Sequence, residues 1–413
     1  MTSLRIFLLS CLTGAWMAGG TLWAQGYTVY NTGATADGMF DAHGGICLMG
    51  GASENDDGMA WFLERAGGGD VLVLRASGSD GYNSYFFNDL GVDLHRVTTV
   101  VCQNANASSA EEVLDLVHGA EAIWFAGGDQ ADYHNLWQGT PLNDAINHAL
   151  TTRNIAIGGT SAGMAILGGL RFTADNGTVY SDEALDDPYN SYMTLDQSPF
   201  LDVPLLAHTF TDTHFDNPER EGRLLAFMAR ASTDWGIAAT AIACDEYTAV
   251  CIDPSGEARV FGESPQYEDN AYILTVQCDL DNPSPEVCAP GQPLTWNHGG
   301  AAVQVWRALG NAAGSHSYHL QGPVNANAGS WQRWWAEQGQ WFSDVASPGA
   351  CVFSEAGPCT EDVDGDGVVG TSDVMLMLSE FGCASGCYLD LDGDGVVGIS
   401  DILAVLSRFG DTC

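Results

Sequence analysis

The chain has 413 residues, with 13 Lys and Arg against 53 Asp and Glu, and its formal net charge at pH 7 is −40. This length exceeds that of one ordinary domain and predicts a large unit with an appendage. Such a charge repels phosphate backbones and anionic lipid surfaces. It therefore argues against nucleic acid as a partner and favours a cationic substrate or bound calcium.

The first 24 residues have the pattern of a secretory signal. One cation, Arg5, precedes an apolar run over residues 6–18, and the ending Thr-Leu-Trp-Ala-Gln predicts cleavage after Ala24. We therefore expect a secreted, periplasmic or cell-surface protein, and no later stretch is long and apolar enough to span a membrane. Export leaves eleven of the twelve cysteines, and the lack of C-x-x-C spacing favours structural disulfides over zinc ligation.

Short apolar segments alternate with helical patterns from residue 45 onward. The predicted strands are 46–49, 71–74, 97–102, 123–126 and 155–157, and the predicted helices are 56–66, 82–90, 109–117 and 130–150. This alternation predicts a doubly wound, mostly parallel α/β sheet covered on both faces. Ligands bind beyond the carboxyl ends of such strands, so the loops at 127–128 and at Ser161 should be neighbours.

The pattern of apolar and polar residues changes after residue 238. Alternating, turn-rich runs over 238–277 predict hairpins, and 303–306 predicts a last strand, which together make a β-rich extension. The tryptophan-rich run 331–341 fits either a helix docked on the core or an exposed aromatic surface, and we favour the packed alternative.

Residues 154–167 read NIAIGGTSAGMAIL, which predicts a strand, a tight turn and a helix around Ser161. Gly159 and Gly163 give the spacing G-x-S-x-G, in which glycines let the backbone turn sharply and present a nucleophilic hydroxyl. The helix that follows makes the Ala162 N–H a candidate oxyanion donor. The alternative is an ordinary tight connection built from small residues.

A serine nucleophile needs a base, and His214 is the candidate. It lies in Thr-Asp-Thr-His-Phe-Asp, after an apolar segment and before the helical stretch 218–230. A loop between a strand and a helix is a suitable place for a catalytic histidine. The alternative is a surface or N-cap histidine beside Asp216.

Two copies of a calcium-loop pattern, 28 residues apart, occupy the C-terminal end. Carboxylates at loop positions 1, 3, 5 and 12, a glycine at position 6 and a backbone carbonyl at position 7 supply the oxygen ligands that Ca²⁺ requires. Two Ca²⁺ ions are therefore predicted. The expected ligands are Asp362, Asp364, Asp366, Val368 and Asp373 in the first loop, and Asp390, Asp392, Asp394, Val396 and Asp401 in the second.

Each loop leads into one amphipathic helix, and the pair resembles the dockerin module, a small EF-hand-like helical unit. The resemblance covers residues 362–411 and implies a cohesin-like partner selected by Thr371-Ser372 and Ile399-Ser400. The alternative, given equal weight, is that calcium only staples a terminal appendage.

Three motifs over residues 45–230 resemble the cyanophycinase family of serine peptidases, which are relatives of the aspartyl dipeptidases. They are Gly-Gly-Asp-Gln at 127–130, the elbow at 159–163, and Asp-Thr-His-Phe at 212–215 followed by two arginines. The resemblance implies a sandwich of the class I glutamine amidotransferase or flavodoxin type. By motif it makes Ser161 the nucleophile, His214 the base, the N–H groups of Gly128 and Ala162 the oxyanion hole, Glu183 or its rival Asp182 the triad acid, and Gln130, Asp212, Thr213, Arg220 and Arg223 substrate-binding residues.

Two departures from the family pattern bear on the substrate. Thr213 stands where a glutamine is usual and Pro218 where an arginine is usual, which leaves acyl transfer intact but puts the pocket for an arginine side chain in doubt. For Arg220 and Arg223 a solvated helix face is the alternative.

The sequence therefore predicts a secreted serine peptidase that hydrolyses peptide or isopeptide bonds at aspartyl residues, such as a β-Asp-Arg polymer or another arginine-rich substrate. The alternatives are a catalytically silent α/β domain displayed as a calcium-dependent binding or adhesion protein, and an α/β-hydrolase lipase or esterase. The predicted divisions are a signal peptide at 1–24, the peptidase domain at 25–350, a linker at 351–361 and the calcium module at 362–413.

Overall fold

A computed structural model describes residues 26–198, 200–280, 282–321, 324–348, 351, 361, 363, 369–383, 389, 391 and 396–409. The predicted signal segment and most of the predicted linker lie outside the described residues. None of the helices in this part of the chain is both long and apolar enough to cross a bilayer.

The strands, in chain order, are β1 Tyr27–Gly33, β2 Gly45–Met49, β3 Asp70–Arg75, β4 Arg96–Cys102, β5 Ala122–Phe125, β6 Ala156–Thr160, β7 Arg171–Phe172, β8 Leu195–Asp196, β9 Thr209–Asp212, β10 Thr240–Cys244, β11 Ala249–Ile252, β12 Glu257–Phe261, β13 Asn270–Val276, β14 Val303–Leu309, β15 His316–His319, β16 Asn325–Asn327, β17 Ser330–Glu337 and β18 Gln340–Val345.

The α-helices are α1 Asp56–Glu64, α2 Gly81–Ser84, α3 Glu111–Gly119, α4 Gln130–Trp137, α5 Pro141–Arg153, α6 Ala162–Ala165, α7 Ser181–Asp186, α8 Glu221–Arg230, α9 Thr371–Glu380 and α10 Ile399–Ser407. A single π-turn at Tyr85–Asp89 extends α2 over the rest of the predicted helix 82–90.

A ten-stranded sheet runs in the order β1-β4-β3-β5-β6-β2-β11-β12-β15-β16. Its five central strands, β4 to β2, are parallel, as the apolar segments predicted. β1 and the four strands beyond β2 pair antiparallel. The prediction of a mostly parallel sheet therefore describes only the centre, because hairpin strands from the C-terminal half extend the same sheet.

Helices cover both faces of the parallel centre. On β3, Val71 and Val73 pack into the core under α1, while Leu72 and Leu74 pack into the core with α3 and α5. Successive side chains of a strand point to opposite faces, so a strand that is apolar at every position requires a layer on each side. The doubly wound layering predicted from the sequence is present here.

A second, six-stranded sheet has the order β18-β17-β14-β13-β10-β9 and packs with α8 around its own apolar core. β10 pairs in parallel with β9, so the start of the region predicted as hairpins is not a hairpin. The region 331–341 is neither a docked helix nor a single surface, but the hairpin of β17 and β18. Trp334 is buried, whereas Trp335 stacks on Phe342 on the other face.

A disulfide joins Cys278 to Cys351 and ties the segment after β13 to the end of the second sheet. Four other cysteines of the described chain, Cys47, Cys102, Cys244 and Cys251, are buried free thiols. Burial raises the pKa values of Cys244 and Cys251 well above that of an ordinary thiol, which keeps both protonated.

The C-terminal helices α9 and α10 share a small core. Its buried side chains form two pairs at the 28-residue repeat, Val369 with Val397 and Met377 with Val405. The repeat in the sequence is therefore also a repeat in the packing.

Candidate active site

Ser161 lies on a sharp turn between β6 and α6, with φ 53° and ψ −119°. The turn is possible because its glycines pack backbone against backbone. A Cβ on Gly159 would lie 2.4 Å from the carbonyl of Gly163, and a Cβ on Gly163 would lie 2.1 Å from the carbonyl oxygen of Phe125. The G-x-S-x-G spacing is therefore a steric requirement here, and it holds a half-buried serine in a positive-φ conformation.

The Ser161 hydroxyl contacts the predicted base. Its Oγ lies 2.8 Å from Nε2 of His214, within hydrogen-bond distance. His214 follows β9 and also has a positive φ, 46°, which turns its ring from the second sheet toward the elbow of the first. The structure thus brings together the two residues that the sequence predicts as nucleophile and base.

The carboxylate that contacts the histidine is Glu246. Its Oε1 lies 2.7 Å from Nδ1 of His214 and its Oε2 accepts a hydrogen bond from the Asn217 amide at 3.3 Å. Burial raises the pKa of the Glu246 carboxyl, but the hydrogen bonds from His214 and Asn217 and the attraction of Arg220 outweigh it, so its pKa is below the ordinary value. The acid is therefore held in its charged form.

The prediction that Glu183 or Asp182 would orient His214 is wrong. Glu183 is exposed on α7, where its Oε2 accepts the Tyr180 N–H at 3.0 Å, and Asp182 is exposed beside it. Glu246 follows His214 in the chain, whereas the predicted acid lies between Ser161 and His214. The available signal was the pair Asp245-Glu246 directly after an apolar strand, β10, which the structure pairs in parallel with the strand of His214.

One short segment, Met49–Gly51 at the end of β2, connects the three catalytic loops. The carbonyl of Met49 accepts the Ser161 N–H at 3.1 Å, that of Gly50 accepts the His214 N–H at 2.8 Å, and that of Gly51 accepts the Tyr247 N–H, next to Glu246, at 3.1 Å. A Cβ on Gly51, where φ is 116°, would lie 2.4 Å from Nε2 of His214. This segment is the seam between the two sheets.

A cleft of about 440 Å³ opens beside the serine. A Cβ built on Gly127 would lie 3.5 Å from that of Ser161, so the two loops predicted to be neighbours are neighbours. Most of the predicted site residues line this cleft. They are Gly128, Gln130, Ala162, Thr213, Arg220 and Arg223.

The two arginines differ in their freedom to bind a ligand. Arg223 is buried and forms a bidentate ion pair with buried Asp212, so its charge is already neutralised. Arg220 donates from Nη1 to the Thr213 carbonyl at 2.8 Å and forms no ion pair in the described part of the chain. Burial and the nearby Arg223 lower the pKa of Arg220 to about 10, so it remains a cation at neutral pH.

Calcium ligation remains a prediction. Of the ten expected ligands, Asp362, Asp364, Asp366, Val368, Asp390, Asp392 and Asp394 lie outside the described residues, and within the described part no three His, Cys, Asp or Glu side chains are grouped to hold a metal. Asp373, Val396 and Asp401 are described. Both aspartates are fully buried in the first turns of α9 and α10, where Asp373 Oδ2 accepts the Gly370 N–H at 2.6 Å and Asp401 Oδ2 accepts the Gly398 N–H at 2.7 Å.

The fold and the hydrogen-bonded series Ser161–His214–Glu246 define a serine-type hydrolase. Residues 79–255, which contain all three side chains, match the family model described as Peptidase family S51. The molecule is thus a serine-type peptidase.

Two cyanophycinases are similar in sequence to this chain. The cyanophycinase of Synechococcus elongatus is 28% identical over 256 residues, which cover 58% of this chain and 74% of that protein. The cyanophycinase of Geminocystis herdmanii is 25% identical over 244 residues, covering 55% and 84%. A peptidase of known structure from an acI-B1 Actinobacterium overlaps 56% of this chain and 92% of its own, with a TM-score of 0.42 and 15% identity.

Proposed function

We propose that this chain is a secreted serine peptidase that hydrolyses peptide or isopeptide bonds at aspartyl residues. The observation that carries the proposal is the unbroken contact from Ser161 through His214 to Glu246 at the edge of the cleft. An isolated serine or histidine would carry no such inference, because only the connected series can activate a hydroxyl.

In the proposed mechanism, Nε2 of His214 takes the Ser161 proton as Oγ attacks the scissile carbonyl. The N–H groups of Gly128 and Ala162, both at the cleft, would stabilise the oxyanion. His214 then protonates the leaving amine, which departs and leaves an ester on Ser161. Water, deprotonated by the same imidazole, hydrolyses this ester and restores the serine.

The charges in the cleft favour a substrate with both an anionic and a basic group. Arg220 offers a cation beside the catalytic histidine, where an aspartyl carboxylate would bind. Asp129 and Asp175, both exposed, line the same cleft and would attract a basic side chain. A β-Asp-Arg polymer of the cyanophycin type, or a related aspartyl peptide, has both groups.

The test is product analysis by mass spectrometry on cyanophycin and on a panel of α- and β-aspartyl dipeptides, with wild type and Ser161→Ala. Release of β-Asp-Arg or cleavage at aspartyl bonds by wild type, lost in the variant, supports the proposal. Identical products from the variant reject the mechanism, and cleavage confined to peptides without aspartate rejects the substrate class.

For the C-terminal module we propose binding of two Ca²⁺ ions and docking to a cohesin-like protein. Apolar side chains are exposed at repeat-related positions in α9 and α10 and directly after them, and such a patch is typical of an interaction surface. The pairs are Met375 with Leu403, Leu378 with Leu406 and Phe381 with Phe409.

Calcium dependence can be measured on the full chain by limited proteolysis with and without EDTA. We expect chelation to open cleavage sites only after about residue 362 and to leave hydrolysis unchanged. Loss of hydrolysis would instead indicate a metal in the catalytic unit. Secretion is tested by the mature N-terminus, which should begin at Gln25.

A further inference from the structure

The loop that contains His214 also forms hydrogen bonds to Glu246, the acid that orients the His214 ring. Two consecutive residues of this loop reach Glu246, which lies on a different loop 32 residues further along the chain than His214. Asp216 Oδ1 accepts the backbone N–H of Glu246 at 2.9 Å, and Asn217 Nδ2 donates to its Oε2 at 3.3 Å. Main chain and side chain of the acid are therefore fixed by the same short segment.

The position of Asn217 is itself tied to the histidine. Its backbone N–H donates to the His214 carbonyl at 3.1 Å, so its side chain has a fixed origin relative to the imidazole. Hydrogen bonds to the two Glu246 oxygens come from His214 Nδ1 and from the Asn217 amide, one to each oxygen. The amide thus leaves Oε1 as the oxygen that faces the ring.

The hydrogen bond from Asn217 restricts the rotation of the Glu246 carboxylate. The Glu246 side chain is 17% exposed and has three rotatable torsions, so water competes for its carboxylate and a single hydrogen bond leaves the carboxylate free to rotate. His214 and the Arg220 cation are the groups whose charge acts on it, and the Asp216 carboxylate is occupied by the Glu246 backbone N–H. Asn217 is the neutral donor that satisfies the remaining oxygen without competing with the imidazole for charge.

We propose that Asn217 is a positioning residue for acyl transfer, which acts through Glu246 and contacts no substrate. The inference rests on the proposed peptidase function and adds a fourth member to its relay. Nothing in the motifs that surround Ser161 or His214 assigns this role to position 217.

The probe is the second-order rate of Ser161 labelling by a fluorophosphonate, which reports activation of the hydroxyl without knowledge of the natural substrate. We expect Asn217→Ala to lower this rate about ten-fold, as loss of one hydrogen bond to a charged group does. The isosteric Asn217→Asp, which replaces the donor with a second carboxylate, should lose at least as much. With an aspartyl substrate, kcat should fall and KM should stay unchanged.

A double-mutant cycle separates positioning from general damage. If Asn217 acts through Glu246, Asn217→Ala adds no further loss in a Glu246→Gln background. Asn88→Ala is the matched control, because Asn88 is also an exposed asparagine with a side-chain hydrogen bond, to Ser84, but lies away from the cleft. Its labelling rate should equal that of wild type, and all variants should unfold at comparable temperatures.

The outcomes are distinct. Unchanged labelling in Asn217→Asp, an additive loss in the cycle, or a rise in KM alone overturns the positioning role. Failure of wild type to be labelled at Ser161 overturns the proposed function instead. Labelling that depends on Ser161 but not on Asn217 removes only the present inference.

Discussion

Replacement of Glu246 by glutamine isolates the contribution of the catalytic acid. Gln has nearly the same shape as Glu and keeps an oxygen that can accept from Nδ1 of His214, but it has no charge. During reaction the imidazole becomes positively charged, and in wild type this charge faces the carboxylate across 2.7 Å. The substitution therefore removes stabilisation that is largest in the transition state, so kcat should fall more than KM rises.

The distance and the exposure of the pair set the magnitude. At an effective dielectric of about 20, unit charges 2.7 Å apart attract by about 6 kcal/mol, which is an upper limit for side chains 22% and 17% exposed. A charge-assisted hydrogen bond alone contributes about 1.5 to 3 kcal/mol. Since about 1.4 kcal/mol corresponds to a factor of ten, and glutamine also permits the wrong imidazole tautomer, we expect a loss of about 10²- to 10⁴-fold.

The assay is steady-state hydrolysis together with the fluorophosphonate labelling rate. Glu183→Gln is the control, because the family resemblance made Glu183 the expected acid and the structure places it at the start of α7, away from His214. This variant should keep full activity and lose at most about 1 kcal/mol of stability through a weaker helix cap. Equal activity of Glu246→Gln and wild type, or a large loss in Glu183→Gln, would refute the assignment.

Three further substitutions test the site and its support. Gly51→Ala should abolish labelling of Ser161, because its Cβ would lie 2.4 Å from Nε2 of His214 and its φ of 116° suits only glycine; retained labelling would show that the seam yields. Asp212→Asn should cost about 3 to 5 kcal/mol in urea unfolding, because it leaves Arg223 as a buried unpaired cation, and a loss below about 1 kcal/mol would contradict the buried pair. Burial raises the pKa of Asp245 to about 7, so the folded chain retains a proton that the unfolded chain releases above about pH 4. The free energy of unfolding should therefore fall as pH rises from about 4 to 7, and Asp245→Asn should flatten this dependence in urea titrations; an unaltered slope would exclude Asp245 as its source.

The parts of the site that could be predicted are those determined by residues close together in the sequence. The elbow around Ser161 follows from glycines that are two residues away on either side, and His214 follows from its place between a strand and a helix. The five parallel strands follow from apolar runs that need cover on both faces. Each of these inferences depends on neighbours in sequence.

Glu246 could not be found in the same way because its role depends on a pairing between strands. The carboxylate reaches His214 only because β10 lies parallel to β9, and nothing in the alternating texture after residue 238 distinguishes that arrangement from a hairpin. Glu183 was selected because it lies between Ser161 and His214, where the family resemblance places the acid. The structure separates them because one carboxylate caps a helix and the other contacts the ring.

The tryptophan-rich segment packs on the core as we favoured, but as a strand and not as a helix. Trp334 and Trp335 are adjacent, and in a strand adjacent side chains point to opposite faces, so Trp334 is fully buried while Trp335 is partly buried and stacks on Phe342. The favoured alternative, packing on the core, holds for Trp334, Trp335 and Trp341, whereas the helix proposed for it does not. Only the register of the hairpin assigns each ring to its face.

The seam at Met49–Gly51 explains how catalytic geometry and substrate preference can change separately. The backbone of this segment accepts hydrogen bonds from the loops of Ser161, His214 and Glu246, so the spacing of the catalytic groups is set when the two sheets join and does not depend on contacts with substrate. Thr213 lines the cleft, and its backbone lies outside this set of contacts. Substitution of Thr213 can alter which side chain the cleft accepts while the 2.8 Å and 2.7 Å contacts of the relay persist. A chain with a changed pocket and an unchanged relay is thus what this architecture permits.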